Sequence, residues 1–353
     1  MPTFRADALR RLGQALFERV GVPPADAALV ADHLVEANLL GHDTHGVLRL
    51  PQYVEMVRGG QVHPGAPLRT EAETPSTAQL CGGWDFGPVT ATRAMEVAIR
   101  KARASALSVV TVRDCNHVAR LGRFSALAAQ ERMVALMAAN GHGGDLAVAP
   151  YGGTERRLGT NPLSVAVPTG RPWPVVVDMT TSALSGGQLR LLRNLGQPAP
   201  PDTLIDAQGQ PTTDVAAYYG PPAGAILPLG FPLSGHKGYA LGVMVDVLAG
   251  GLSRAGCSGA GPAPTGNALF IAVLRVEAFL PWEEYQEQAE GLLQRLESCP
   301  PAAGFAQVSL PGGLEQARQQ QRLQEGVPVD EAAWRQISAL AAELNVDLPS
   351  SGS

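Results

Sequence analysis

Five apolar runs constrain this chain more than any other feature. LSVVTVRD (107–114), VALMAAN (134–140), LSVAVP (163–168), PVVVDM (174–179) and ALFIAVL (268–274) read as strands buried in a sheet. Helical sequence separates several of them, over about 120–132 and in GYALGVMVDVLAGGL (238–252). The preceding stretch has a different texture. Leu9, Leu12, Leu16 and Val20 recur at helical spacing, and a second helix starts at Pro23-Pro24 and runs through Val30, Leu34 and Ala37 to stop near Gly41. VLRLPQYVEMVRGG (47–60) and TATRAMEVAIRKARAS (90–105) predict two more helices, with loop and short strand over 61–90. Amphipathic helices are expected at 282–298 and 331–344. The pattern predicts an α/β fold with a helical N-terminal part.

Composition narrows the function classes. Of 353 residues, 45% are hydrophobic and 17% charged, which excludes disorder as the main state. Forty glycines and 29 prolines suit many turns and backbone-lined pockets rather than a helical bundle. The net charge is −5 and no basic block occurs, so there is no electrostatic footprint for nucleic acid. No apolar run reaches the roughly 18 residues of a membrane span, and MPTFRADALRRLG lacks a signal-peptide core. Cys81, Cys115, Cys257 and Cys299 form no Cys-x-x-Cys pair. A cytoplasmic enzyme with free thiols is the expectation.

Nucleotide fingerprints of the common kind are missing. The nearest to G-x-G-x-x-G, running from Gly141 to Leu146, ends on Leu where the third glycine belongs, and no P-loop occurs. A nucleotide would need another scaffold. In GHDTHG (41–46), His42 and His45 could share a helical face and hold a metal, but no further ligand stands at conventional spacing. Asp43 or Thr44 could instead cap a helix. Arg49, four residues past His45, tips the balance: one His and one Arg can protonate a carbonyl while clamping a carboxylate. Asn116-His117 follows a strand, where side chains often project into a cleft, although a lone His at a strand end is more often structural than catalytic. Asp178 ends an apolar run and needs a partner or solvent. In SGHKGY (234–239), Lys237 at a helix start reads equally well as a phosphate cradle or as a plain helix N-terminus.

Taken in order, GHDTHGVLRLPQY, NHVARLGRF, PYGGTERRLGTNPLSVAVP, VVVDMTTS, GQPTTD, GHKGYALGVMVDVLAG and VSLPGG resemble the type 2 malate/L-lactate dehydrogenase family, over about residues 5–330. The resemblance implies a non-Rossmann fold with a helical N-terminal part and a mixed, largely antiparallel sheet. It divides the chain into a helical, substrate part (1–120, packed with 300–353) and a cofactor domain (121–299). It also implies a homodimer using NADH or NADPH on small 2-oxo or 2-hydroxy acids, or on cyclic imino acids such as piperideine- or pyrroline-2-carboxylate. By position, His45 resembles the proton donor, Thr44 the residue orienting it, and Arg49 the carboxylate binder. His117 to Leu121 resembles a segment touching cofactor and substrate, with a proton-acceptor role for His117 in some members. Asn140 and Thr160 resemble substrate-pocket positions. Asp178, Met179, Thr180, Lys237, Gly238 and Gly312, Gly313, Leu314 resemble the cofactor strip. No metal is implied.

Two departures stand out. Gln188 occupies the position of a usual Lys or Asp, the latter a relay partner of the catalytic His in imine reductases, and is expected to orient His45 without supplying charge. The Gly/Pro-rich loop 256–267 is unlike the family's sequence there. These leave the oxo-acid reading first, an imine reductase second and a non-catalytic NAD(P)-binding homologue third.

Overall fold

The computed structural model describes residues 1–143, 146–259 and 265–350. The chain opens with β1 (Thr3–Phe4), α1 (Ala6–Arg19) and α2 (Pro24–Leu39), then two 3₁₀ turns, Asp43–His45 and Val47–Arg49, and α3 (Leu50–Arg58). Next come β2 (Arg69–Glu73), β3 (Thr77–Cys81), α4 (Gly87–Ser105), β4 (Leu107–Cys115), α5 (Gly122–Gln130), β5 (Met133–His142), β6 (Leu163–Val167) and β7 (Val175–Met179). Helix α6 (Gly186–Leu195), β8 (Leu204–Ile205), β9 (Pro211–Thr212), α7 (Val215–Tyr219) and β10 (Ala225–Ile226) form a small lobe. The remainder is α8 (Gly235–Asp246), which passes into a π-helical turn, β11 (Gly266–Arg275), α9 (Trp282–Glu297), α10 (Gly313–Glu325), β12 (Val327–Pro328) and α11 (Glu331–Leu344).

One seven-stranded sheet, in the order β2-β3-β4-β11-β5-β6-β7, organises the molecule. Every pairing is antiparallel except β3 with β4. The expected mixed, largely antiparallel sheet is therefore present. Its centre is ten-residue β11, laddered to β4 on one side and β5 on the other. Ala91, Ala94, Ala98 and Ala102 make a small-residue stripe on α4, so that helix lies close on Val110, Val112, Leu269, Ile271 and Val273. Residues 69–115 supply three strands to this sheet, so hydrogen bonding runs straight across residue 120.

A second core joins the two chain ends. Leu9, Leu16 and Phe17 of α1, Val30 and Leu34 of α2, and Val54 of α3 pack with Ile337 and Leu340 of α11, while β1 pairs with β12. Strand β7 differs from the sequence reading. It is an edge strand paired only with β6, and none of its five residues is buried. Val, Val, Val reads the same at a sheet edge as at its centre, because β-branching suits any pleated strand. Helices α6, α7 and α10 were not anticipated either. α10 (GLEQARQQQRLQE) is polar enough to pass for loop.

Candidate active site

The turn after α2 is built by one asparagine. Asn38 Oδ1 accepts the Val47 N–H at 2.7 Å, and its Nδ2 donates to Asp43 Oδ1 at 2.6 Å. A Cβ on Gly46 would stand 2.2 Å from Asn38 Oδ1, so only glycine lets the chain pass this close. The turn folds Arg49 back on itself: Nε donates to the Thr44 carbonyl at 2.8 Å and Nη1 to Gln52 Oε1 at 2.7 Å. Arg49 is only 6% exposed and makes no ion pair among the described residues. Burial lowers its pKa. A buried guanidinium held by neutral acceptors alone favours the arrival of an anion.

Beside it lie two parallel imidazoles. His45 and His117 stack with centroids 5.5 Å apart and planes 23° apart. Burial first, then the Arg49 charge, drives the His45 pKa down to about 3 and that of His117 well below its usual value. Both rings are therefore neutral near pH 7. Tyr53, four residues past Arg49 on α3, hydrogen-bonds His117 Nδ1 at 2.9 Å. When the phenol donates, the His117 proton sits on Nε2. His45 Nδ1, by contrast, is enclosed and has no hydrogen-bond partner among the described residues. Behind the pair, buried His33 accepts the Arg120 N–H at 3.3 Å and stacks on Phe124.

The remaining site segments meet along edge strand β7. Asp178 Oδ2 accepts the Gly122 N–H at 2.7 Å and lies 3.5 Å from Arg120 Nε, tying β7 to the turn that carries His117 and Leu121. Gly312 lies against Val176 and Pro174, which brings the start of α10 to β7. Beyond Met179 and Thr180, Thr181 accepts the Leu229 N–H at 3.0 Å, and Gly238 packs onto Leu229 so tightly that a Cβ would meet its carbonyl oxygen at 2.3 Å. The start of α8, with Lys237 exposed and in no ion pair among the described residues, thus reaches the same edge. Cation, helix starts and glycine backbone converge there from four chain segments. This is a donor set suited to an extended anionic dinucleotide.

The family profile described as malate/L-lactate dehydrogenase matches residues 4–338. The chain belongs to the malate/L-lactate dehydrogenase family. The L-lactate dehydrogenase of Cupriavidus necator is 36% identical over 96% of this chain and 97% of its own length. The crystal structure of malate dehydrogenase from Entamoeba histolytica superposes with a TM-score of 0.92, covering 99% of each chain at 26% identity. That of delta1-piperideine-2-carboxylate reductase from Pseudomonas syringae gives 0.81 at 26% identity, covering 97% of this chain and 100% of that one. As a member of a family of hydroxy-acid dehydrogenases, the chain is an oxidoreductase.

The other expected site residues make no hydrogen bond to the two imidazoles among the described residues. Gln188 departs from its expected place at His45. It closes a capping box, its Oε1 accepting the Ser185 N–H at 2.8 Å while its own N–H donates to Ser185 Oγ at 3.1 Å. The sequence S-G-G-Q is itself a cap signature, and the local bond occupies the side chain. Thr44 and Asp43 form no helix cap. Thr44 Oγ1 makes no hydrogen bond to His45 among the described residues, and the Thr44 side chain packs at Gly187. Asn140 Nδ2 donates to buried Asp246 at 2.9 Å and to the Gly256 carbonyl at 3.1 Å, and the Thr160 carbonyl accepts from Thr181. Their link to the imidazoles is indirect: Asn267 donates to the Asn140 carbonyl and accepts the Val118 N–H beside His117. Of the loop 256–267, residues 260–264 lie outside the described residues, as do 144–145 of the glycine run. Asn38, Tyr53 and Asn267 were not singled out in the sequence. Only Tyr53, one helical turn from Arg49, carried a signal.

Proposed function

We propose that this protein interconverts a small 2-oxo acid and its 2-hydroxy acid with NADH or NADPH, with His45 as proton donor in reduction. The observation that carries this reading is Arg49, a buried cation without a carboxylate partner among the described residues, beside two neutral imidazoles. Arg49 would take the substrate carboxylate and so orient the reacting carbon. Neutral His45 is then ready to accept the hydroxyl proton in oxidation. In reduction it must be charged. Substrate carboxylate on Arg49 offsets the second cause of its low pKa, after burial, and so shifts His45 toward its protonated form as the anion binds. His117, held by Tyr53, would offer a second hydrogen bond to the substrate oxygen.

The dinucleotide would lie along the β7 edge, held by Leu121, Asp178, Met179, Thr180, Lys237, Gly238, Gly312, Gly313 and Leu314. Its nicotinamide supplies the hydride in reduction and accepts it in oxidation. Neutral Gln188, spent on a helix cap, favours the oxo acid over a cyclic imine, whose reductases resemble a site with a carboxylate relay. The exposed apolar side chains Leu241, Met244 and Val247 along α8 and its continuation support the homodimer part of this reading. Among the described residues no helix is long and apolar enough to cross a membrane, in keeping with a cytoplasmic placement.

The test is NADH and NADPH oxidation against panels of 2-oxo acids and preformed cyclic imines. Turnover with an oxo acid supports the proposal. Turnover with imines alone makes the protein an imine reductase, and nucleotide binding without any turnover makes it a non-catalytic homologue.

A further inference from the structure

A catalytic imidazole is normally aimed by a hydrogen bond to its far nitrogen. His45 has none among the described residues: Nδ1 is enclosed without a partner, Gln188 is committed to its cap, and the Thr44 hydroxyl makes no bond to it. The ring can be aimed only by the backbone that carries it and by the packing around it. That backbone is gripped from an unexpected side. Arg322, on the last turn of α10, forks onto Asp43, with Nη1 to Oδ1 at 2.6 Å and Nη2 to Oδ2 at 3.0 Å. Its Nη1 also donates to the Asn38 carbonyl, and the residue is 8% exposed. Two helical turns earlier on the same face, Glu315 lies 3.7 Å from His42 Nε2. Asn38 holds the other end of the turn through the Val47 N–H. His45 stands in the middle of a segment tied at 43 by Arg322 and Asn38, and at 47 by Asn38.

We propose that Arg322 is the positioning residue for His45, its bidentate grip on Asp43 fixing the turn in place of the ring-orienting hydrogen bond that His45 lacks. The proposal rests on the reading of His45 as proton donor. It gives α10 a purpose its polar sequence does not announce. The helix begins at the proposed cofactor strip and ends at the turn that presents the acid.

The experiment measures Arg322→Met, Arg322→Lys, Asp43→Asn and the double variant Asp43→Asn/Arg322→Met in the full-length protein. For Arg322→Met the expected result is a kcat lower by ~30- to 100-fold, the scale of an ångström-level misplacement. The KM for the acid and the Kd for the nucleotide should stay within about threefold. The solvent deuterium isotope effect on kcat should rise, because proton transfer becomes the slow step, while the effect of deuterated nicotinamide should not. Arg322→Lys should recover part of the rate, since an ammonium keeps the charge but not the fork. The double variant should be no slower than the worse single one, as for two partners of one contact. If Arg322→Met does not fold, Asp43→Asn, at a more exposed position, carries the same expectations. Wild-type kcat in a folded variant, additive losses, or a loss shared equally with nucleotide binding would overturn the proposal. His45→Ala separates the two readings. If it retains turnover, the donor assignment fails; if it abolishes turnover while Arg322→Met and Asp43→Asn work normally, only the positioning role fails.

Discussion

The proposed substrate pocket and the proposed cofactor strip are built by opposite means. In the pocket, the proposed chemistry falls to side chains and burial tunes them: Arg49 has no counter-ion among the described residues, and desolvation favours the neutral forms of His45 and His117. Along β7, the useful groups are exposed or belong to the backbone. Lys237 stands in solvent, Leu314 is 70% exposed, and the glycines offer N–H groups at a sheet edge. The difference follows from what each must bind. A small anion has little surface, so the pocket must make each contact strong by excluding water. A dinucleotide is long and can gather many modest contacts on an open strip. Changes in the pocket should therefore be costly and selective, and changes on the strip smaller and confined to nucleotide affinity.

The largest effect should come from His45→Ala. Loss of a general acid typically costs ~10²- to 10⁴-fold in kcat, with nucleotide affinity unchanged. A variant that binds nucleotide poorly but turns over normally would merge the two regions into one. Next comes Arg49→Lys. Lys keeps the charge but not the fork, so the KM for the acid should rise by roughly 10- to 100-fold, the equivalent of a charge-assisted contact. Calorimetry of an unreactive anionic analogue in buffers of different ionisation enthalpy should show proton uptake in the wild type and less in Arg49→Met. Binding without proton uptake in the wild type would sink the coupling between Arg49 and His45.

On the strip, Lys237→Ala should weaken nucleotide binding by about tenfold, from a loss of roughly 1–2 kcal/mol for an exposed charge-assisted contact, and leave the acid's KM alone. A KM effect with intact nucleotide affinity would move Lys237 into the pocket. These contrasts also explain what the sequence revealed. His45, Arg49 and His117 were legible because each is a reactive residue type in a short motif. Strand β11 was legible as an apolar run, though nothing in ALFIAVL announced that it would be the sheet's centre rather than an edge like β7. Asn38 and Asn267 were invisible, because their roles arise from contacts across 9 and 149 residues of sequence. Pairings of that kind are set by topology, which single-sequence periodicity does not encode.

Stability should separate the regions by pH. His33 is buried behind the pocket, and burial together with the charges of Arg123 and Arg120 holds its pKa well below the usual value. The unfolded chain's imidazole takes up a proton near 6.5 and the folded one resists, so the protein is at full stability above that pH and loses it as pH falls. Each such His contributes a slope of up to about 1.4 kcal/mol per pH unit below 6.5. His33→Gln, whose amide oxygen can still accept the Arg120 N–H, should flatten the fall of Tm between pH 6.5 and 4. An unchanged slope would mean that the acid sensitivity comes from elsewhere.

The smallest effect is expected where pocket and small lobe touch. Helix α6 begins at Ser185, and its Gly187 lies against Thr44, so Gln188 is close to the catalytic turn in space while its side chain is closed on its own helix start. A reciprocal capping box contributes on the order of 1 kcal/mol. Gln188→Ala should therefore lower stability by about that much and leave the pH profile of kcat/KM where it was. Gln188→Asp can still serve the N-terminus, since a carboxylate in the first turn interacts favourably with the helix dipole, and should restore most of the stability. The two variants discriminate because a charge aimed at His45 would act differently. A new carboxylate facing the imidazole would favour its protonated form and raise its pKa, carrying the reductive limb to higher pH. A shift of that limb in Gln188→Asp would show that the side chain leaves its cap to reach the ring during turnover. An unmoved limb with a lower Tm in Gln188→Ala alone would confine Gln188 to holding the start of α6 against Thr44, and would leave His45 aimed by its backbone.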